Sequence, residues 1–207
     1  EIPVPISKDL VSLEEAFAAP REQIKAWHQE HINPDLDLLL ELIGFDEIYD
    51  RAEGVNVFIN GEAYLDFLSG YGVLSLGHNH PEIIRTVERV NGSPNILQAA
   101  LSPLAAALAK NLAAIAPGNL QRTFFCNSGT ESVEGALKLA RAATGKQKIL
   151  YTEKCFHGKT LGSLSAVGRE KYQTPFQPLL PGFQRIPFGD AEALKKKLKE
   201  KLSQWKK

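Results

Sequence analysis

A short polar loop, residues 127–130, carries the side chains best suited to bind an anion. It reads Asn-Ser-Gly-Thr and lies between an apolar segment and a segment with helical spacing that begins at Glu131. The first turn of a helix presents backbone N–H groups without internal partners, together with the positive end of the helix dipole. Gly129 leaves the backbone open, and Ser128 and Thr130 supply hydroxyl donors. The pattern predicts a phosphate-binding loop.

The same loop also has a structural interpretation as a helix cap. Serine and threonine are ordinary N-cap residues, and Thr130 can cap the helix with the N–H of Ser132 or Val133 as its partner. The loop matches neither the Gly-x-x-x-x-Gly-Lys pattern of nucleotide-binding loops nor the Gly-x-Gly-x-x-Gly pattern of dinucleotide folds. On spacing alone, the cap is at least as good an interpretation as the anion site.

A second segment with possible chemistry begins after the apolar run Lys148 to Thr152. It places Phe156 directly before His157 and Gly158. A flat ring beside a phosphate site can stack on a heteroaromatic cofactor, and such stacking contributes about 0.5–1.5 kcal/mol. Taken alone, Phe156 is better explained as a core residue.

Helices and strands alternate along the part of the chain that carries these segments. Helical spacing predicts helices over Leu10 to His31 (with a second helix starting at Pro20), Glu82 to Val90, Leu101 to Ile115, Glu131 to Ala143 and Ala191 to Trp205. Apolar runs predict strands over Arg122 to Cys126, Lys148 to Thr152 and Phe183 to Pro187. Two alternating runs, Val55 to Ile59 and Glu62 to Phe67, flank Asn60-Gly61 and predict a tight hairpin. The alternation is typical of an α/β fold with a parallel sheet.

Four separated blocks of this sequence resemble class III aminotransferases, which depend on pyridoxal phosphate. The blocks are Asn127 to Glu134 with Ala136 to Arg141; Phe156 to Lys159; Leu65 to Phe67 with Ser69 to Gly72 and Leu76 to Pro81; and Pro175-Phe176, Pro178 to Phe183 and Pro187 to Gly189. The last block is most similar to the putrescine and ornithine branch. The resemblance implies part of the fold type I architecture of pyridoxal-phosphate-dependent transferases. Residues 1–75 would be the N-terminal arm and hairpin of the small domain, and residues 76–207 the first part of the large cofactor-binding domain.

The resemblance also implies roles for particular residues. Ser128, Gly129 and Thr130 would bind the cofactor phosphate. Phe156 would stack on the pyridine ring, with His157 beside it. The substrate pocket would be bordered by Tyr71 and Gly72.

The activity implied for the full-length protein is transfer of an amino group from a putrescine- or ornithine-like donor to a 2-oxo acid such as 2-oxoglutarate. The family forms homodimers. Its Schiff-base lysine and the acid that pairs with the pyridine nitrogen belong to its second half, so we expect no catalytic residue in this chain and no transamination by it alone. Lys138 and Lys159 do not occupy the family's catalytic context. The alternatives are an aminomutase, an acetylornithine-type aminotransferase, or a non-catalytic fragment that binds pyridoxal phosphate or another phosphate ligand, or dimerises.

Composition narrows the remaining classes of function. The formal net charge is zero, so no global field attracts nucleic acid. No apolar run approaches the roughly 20 residues of a membrane span, and the first ten residues lack a secretory pattern. Two cysteines give no disulfide framework, and His78 and His80 lack a third ligand, so no metal site is predicted. These features predict a cytoplasmic protein.

Overall fold

The computed structural model describes residues 10–94 and 100–203. These two ranges form separate compact units, and each is described by itself. The predicted domain boundary after residue 75 concerns the whole protein and stays a prediction. No helix in the described ranges is both long and apolar enough to cross a bilayer.

Three helices open the first unit: α1 (Leu13–Ala18), α2 (Arg21–His31) and α3 (Pro34–Leu42). The side chains of Ser12 and Glu15 form a reciprocal capping box at α1. The second helix starts at Arg21, one residue after the predicted start, and Pro20 is its N-cap. Asn33 caps α3 by accepting two backbone N–H groups.

An antiparallel sheet follows in the order β1 (Arg51–Glu53), β2 (Asn56–Ile59) and β3 (Glu62–Leu65). Ile59 pairs with Glu62, and the intervening Asn60 and Gly61 have φ of 51° and 81°. Positive φ at both central residues is what a two-residue hairpin turn requires. The predicted hairpin is confirmed. The short helical turn α4 (Ser69–Gly72) and the helix α5 (Pro81–Arg89) complete the unit.

The second unit contains five helices and two strands among its described residues. In chain order they are α6 (Pro103–Ile115), α7 (Gly129–Thr144), β4 (Ile149–Thr152), α8 (Leu161–Leu164), α9 (Glu170–Gln173), β5 (Phe183–Ile186) and α10 (Ala191–Ser203). A 3₁₀ turn, Thr174–Phe176, follows α9. The strands β4 and β5 pair in parallel, which confirms the predicted parallel pairing. The predicted end of the last helix at Trp205 lies outside the described residues.

The predicted strand from Arg122 to Cys126 is wrong. The segment has no regular secondary structure, and no strand within residues 100–203 pairs with it. Phe124 and Phe125 are 77% and 46% exposed. An apolar run becomes a strand only when a neighbour accepts and donates its backbone hydrogen bonds, and the described part of the unit provides no such neighbour.

The core of the second unit is small and surrounds the chain just after α8. Its buried apolar side chains are Leu164, Ala166, Val167 and Ile186. Gly168 exchanges backbone hydrogen bonds with Lys154 and Cys155, both 2.9 Å long. The segment that leaves β4 is therefore fixed against the chain that follows α8.

Candidate functional site

The polar loop at residues 127–130 forms the N-terminus of α7. Ser128 is the N-cap, with an extended backbone, and its Oγ accepts the N–H of Glu131 at 3.3 Å. The interpretation of Thr130 as the cap is wrong. The helix begins at Gly129, two residues earlier than predicted, so Thr130 already lies inside the first turn.

Three hydrogen-bond donors remain available at this helix end. The N–H groups of Gly129 and Thr130 have no acceptor within residues 100–203, as expected for a first turn. The hydroxyl of Ser128 accepts from Glu131, so its own proton is free to be donated outward. A Cβ at Gly129 would meet no atom within 4 Å. The capping role and an anion-binding role are thus compatible in one loop.

The side chain of Thr130 points elsewhere, into a cluster of hydroxyl groups. Its Oγ1 lies 2.9 Å from Oγ1 of Thr160 and 2.7 Å from Oγ of Ser163. Both partners belong to the start of α8, and Ser163 is fully buried. Thr130 therefore presents its backbone N–H at the helix end while its hydroxyl is engaged inside the protein.

Gly158 brings the second predicted segment against this loop. A Cβ on Gly158 would lie 2.2 Å from Oγ1 of Thr130, and its φ of 120° suits only glycine. Phe156, two residues before it, is 61% exposed, so it is not a core residue of this unit. His157 is half-buried and has no hydrogen-bond partner among residues 100–203. The fold thus brings together five of the seven predicted site residues.

Tyr71 and Gly72 lie in the first unit, in a left-handed turn. The φ angles of Ser69, Gly70, Tyr71 and Gly72 are 47°, 57°, 57° and 86°. Left-handed backbone at a bulky residue such as Tyr71 costs about 1–3 kcal/mol and is concentrated at functional sites. The tyrosine side chain is 89% exposed.

Asp66 holds the start of this turn. One of its oxygens accepts the N–H groups of Leu68 and Ser69 at 2.8 and 2.9 Å, and the other lies 2.8 Å from Nε2 of His78. The hydrogen bond from the Ser69 N–H, followed by the one from His78, lowers the pKa of Asp66. The carboxylate therefore stays ionised while it anchors the strained turn.

Metal-ligating residues do not cluster in the described ranges: no group of three or more His, Cys, Asp or Glu side chains is placed to hold an ion. His78 instead faces Asp66. The Sγ of Cys126 lies 2.9 Å from Oγ of Ser132, and Cys155 donates to the carbonyl of Ala166.

The sequence did not single out three residues of the hydroxyl cluster: Glu134, Thr160 and Ser163. The Glu134 carboxylate accepts from both of the others. Glu134 lies four residues after Thr130, so the sequence alone could have predicted that both side chains lie on one face of α7. Nothing local connects either residue with Thr160 or Ser163, about thirty positions along the chain.

A family model for class III aminotransferases matches residues 45–206, so the chain belongs to that family. An ornithine aminotransferase from Toxoplasma gondii ME49 is similar, with a TM-score of 0.77 and 24% identity over 92% of this chain and 47% of that one. A taurine:2-oxoglutarate aminotransferase from Bifidobacterium kashiwanohense gives 0.73 and 26% over 89% and 45%. An (S)-enantioselective omega-transaminase from Thermomicrobium roseum gives 0.70 and 29% over 88% and 46%.

The fold is therefore part of the fold type I architecture of pyridoxal-phosphate-dependent transferases. The chain spans about half the length of these solved relatives. Class III aminotransferases use pyridoxal phosphate, and the Bifidobacterium structure is a complex with it. The residues of this chain fit such a cofactor: a phosphate suits the open donors of Ser128, Gly129 and Thr130, and an aromatic ring suits the exposed face of Phe156.

Proposed function

We propose that the full-length protein is a pyridoxal-phosphate-dependent aminotransferase. The amino group passes from an amine or amino acid of the putrescine or ornithine type to a 2-oxo acid such as 2-oxoglutarate. The proposal rests chiefly on the contact of Gly158 with Thr130, because it joins an open anion site and an exposed ring in one place. The names of the ornithine and taurine:2-oxoglutarate relatives support the donor and acceptor classes.

Each residue of the second unit has a role in this proposal. The Ser128 hydroxyl and the N–H groups of Gly129 and Thr130 hold the phosphate, whose negative charge the N-terminus of α7 stabilises by about 0.3–2 kcal/mol. Phe156 packs on the ring and His157 borders it. When bound, the cofactor withdraws electrons from the carbon that carries the amino group. The protein residues fix its orientation and exclude water from one face.

Tyr71 and Gly72 are proposed to border the substrate pocket. The exposed aromatic ring of Tyr71 suits the methylene chain of an ω-amine donor, since such a chain gains from burial against apolar surface. The strained turn fixes the backbone from which that ring projects. We further propose that the full-length protein is a cytoplasmic homodimer.

The function is tested with the full-length protein, pyridoxal phosphate, 2-oxoglutarate and a panel of donors: putrescine, ornithine, acetylornithine and taurine. We expect one glutamate to form for each donor amine converted to a carbonyl, fastest with putrescine or ornithine. Cofactor binding without glutamate would support the non-catalytic alternative. An isomerised amine formed without a 2-oxo acid would indicate an aminomutase, and preference for the acylated donor an acetylornithine-type enzyme. Absence of cofactor binding overturns the proposal.

The same assay checks the stacking role through Phe156→Leu. Loss of the ring should weaken pyridoxal phosphate binding by roughly 2- to 10-fold, which corresponds to the usual contribution of an aromatic pair. Phe176→Leu is a matched control, because Phe176 lies in the same unit and is 57% exposed. Equal affinities for the two variants contradict the role of Phe156.

A further inference from the structure

Glu134 joins α7 to the start of α8 through one carboxylate oxygen. Its Oε1 accepts the hydroxyl of Thr160 at 2.5 Å and the backbone N–H of Ser163 at 2.9 Å. Gly162 packs directly on the carboxylate, since a Cβ there would lie 2.1 Å from Oε2. The half-buried carboxylate is therefore held closely against Gly162 and the start of α8.

The direction of one hydroxyl proton follows from this carboxylate. An ionised carboxylate has no proton to donate, so Thr160 is the donor in its bond to Glu134. Ser163 donates its hydroxyl proton to the carbonyl of Thr160 at 3.2 Å. The Oγ1 of Thr130 lies within hydrogen-bond distance of both of these hydroxyls, and because it carries a single proton it donates to one of them at a time. The Thr130 hydroxyl is therefore engaged within this cluster.

The cluster links the two segments that carry the proposed cofactor contacts. Thr130 lies in the first turn of α7, two residues after the Ser128 cap. Thr160 lies four residues after Phe156, and Gly158 between them touches the Thr130 side chain. Because Ser163 is fully buried, no solvent replaces the Glu134 oxygen as acceptor for its backbone N–H, whereas the Thr160 hydroxyl lies at the surface.

We infer that Glu134 is a positioning residue for the cofactor site. It fixes the segment 156–160 against the N-terminus of α7, and so sets the ring of Phe156 relative to the phosphate donors. The backbone N–H of Thr130 binds the phosphate, and its hydroxyl holds the N-terminus of α7 against the start of α8. The inference rests on the proposed function, which supplies the identity of the ligand.

The test compares Glu134→Ala with Glu134→Gln in the full-length protein, with pyridoxal phosphate as the probe. The alanine variant should bind the cofactor about tenfold more weakly or worse, because the part-buried N–H of Ser163 and the hydroxyl of Thr160 both lose their acceptor. The glutamine variant keeps the amide oxygen in the place of Oε1, so its affinity should stay within about threefold of the parent. Equal affinity of the alanine variant and the parent overturns the inference.

A double variant separates positioning from a general loss of structure. If Glu134 acts through the placement of Phe156, the penalty of Phe156→Leu should shrink at least twofold in the Glu134→Ala background. Strictly additive penalties overturn the inference. If Glu134→Ala fails to fold, as judged by thermal unfolding without cofactor, Thr160→Val replaces it in the same cycle.

Two controls keep the outcomes distinct. Glu192→Ala removes an exposed glutamate of α10 that forms a surface ion pair with Lys195, and it should leave cofactor affinity unchanged. A parent protein that binds no pyridoxal phosphate contradicts the proposed function. A parent that binds it, with an unaffected Glu134→Ala variant, contradicts only the positioning role.

Discussion

At the scale of single residues, two glycines serve opposite purposes in the proposed site. Gly129 leaves open space at the helix end, where an anion can approach the backbone. Gly158 allows close contact, because its missing side chain lets the chain meet Thr130. Thr130 is itself divided between the two purposes: its N–H faces the open end and its hydroxyl faces the contact.

Gly158→Ala tests the contact. The new methyl group would meet Thr130 and the backbone would be strained at a φ of 120°, so the free energy of unfolding should fall by about 2 kcal/mol or more. The affinity for pyridoxal phosphate should fall as well, since the ring of Phe156 would move relative to the phosphate donors. Chemical denaturation and cofactor titration of the full-length protein measure the two effects.

Gly145→Ala is the matched control for that substitution. Gly145 ends α7 with a φ of 67°, but a Cβ there meets nothing within 4 Å. It should lose about 1 kcal/mol from backbone strain alone and keep its cofactor affinity. Similar losses of stability and affinity in both variants would show that Gly158 makes no special contact.

At the scale of elements, the N-terminus of α7 combines a cap with a proposed ligand site. Ser128 and Ser102 cap α7 and α6 in the same way, each accepting a backbone N–H at 3.3 Å. Only Ser128 lies beside the residues that the proposal assigns to the cofactor. The pair therefore separates helix stability from ligand binding.

Ser128→Ala and Ser102→Ala should each lower the free energy of unfolding by about 1 kcal/mol through the lost cap. Only Ser128→Ala should weaken pyridoxal phosphate binding, by about tenfold, because a hydroxyl donor to a charged phosphate is lost. Differential scanning calorimetry and cofactor titration give the comparison. If both variants bind the cofactor like the parent, the phosphate does not contact Ser128.

At the scale of the whole molecule, many large apolar side chains in the described ranges are exposed. They include Phe67, Tyr71, Phe124, Ile115 and Phe188. The solved relatives are about twice as long as this chain. Large apolar side chains exposed in this number are normally covered by further chain or by a partner.

The proposed homodimer is tested on the full-length protein by sedimentation velocity at micromolar concentration. We expect a single species with twice the mass of one chain, stable to dilution, because apolar surface favours burial between copies. A monomer across that concentration range contradicts the homodimer and leaves the aminotransferase proposal to its own assay.

Local signals in the sequence determined much of the architecture. The Asn60-Gly61 turn, the start of α2 after Pro20 and the helices α6 and α7 all follow from capping, turn chemistry and helical spacing. Caps, turns and helical spacing depend on interactions between residues a few positions apart, so they can be recognised in a single sequence. The resemblance to class III aminotransferases was also visible in the sequence, because each of its blocks is a continuous run of residues. The family match confirms this resemblance.

Only the tertiary structure decided which groups face each other. The contact of Gly158 with Thr130 and the bonds from Glu134 to Thr160 and Ser163 join positions about thirty residues apart. The apolar segment 122–126 has strand character in sequence, yet a strand exists only through a neighbour that pairs with it. Long-range pairing depends on which distant segments the fold brings close together. The same folding places the Thr130 hydroxyl beside Thr160 and Ser163.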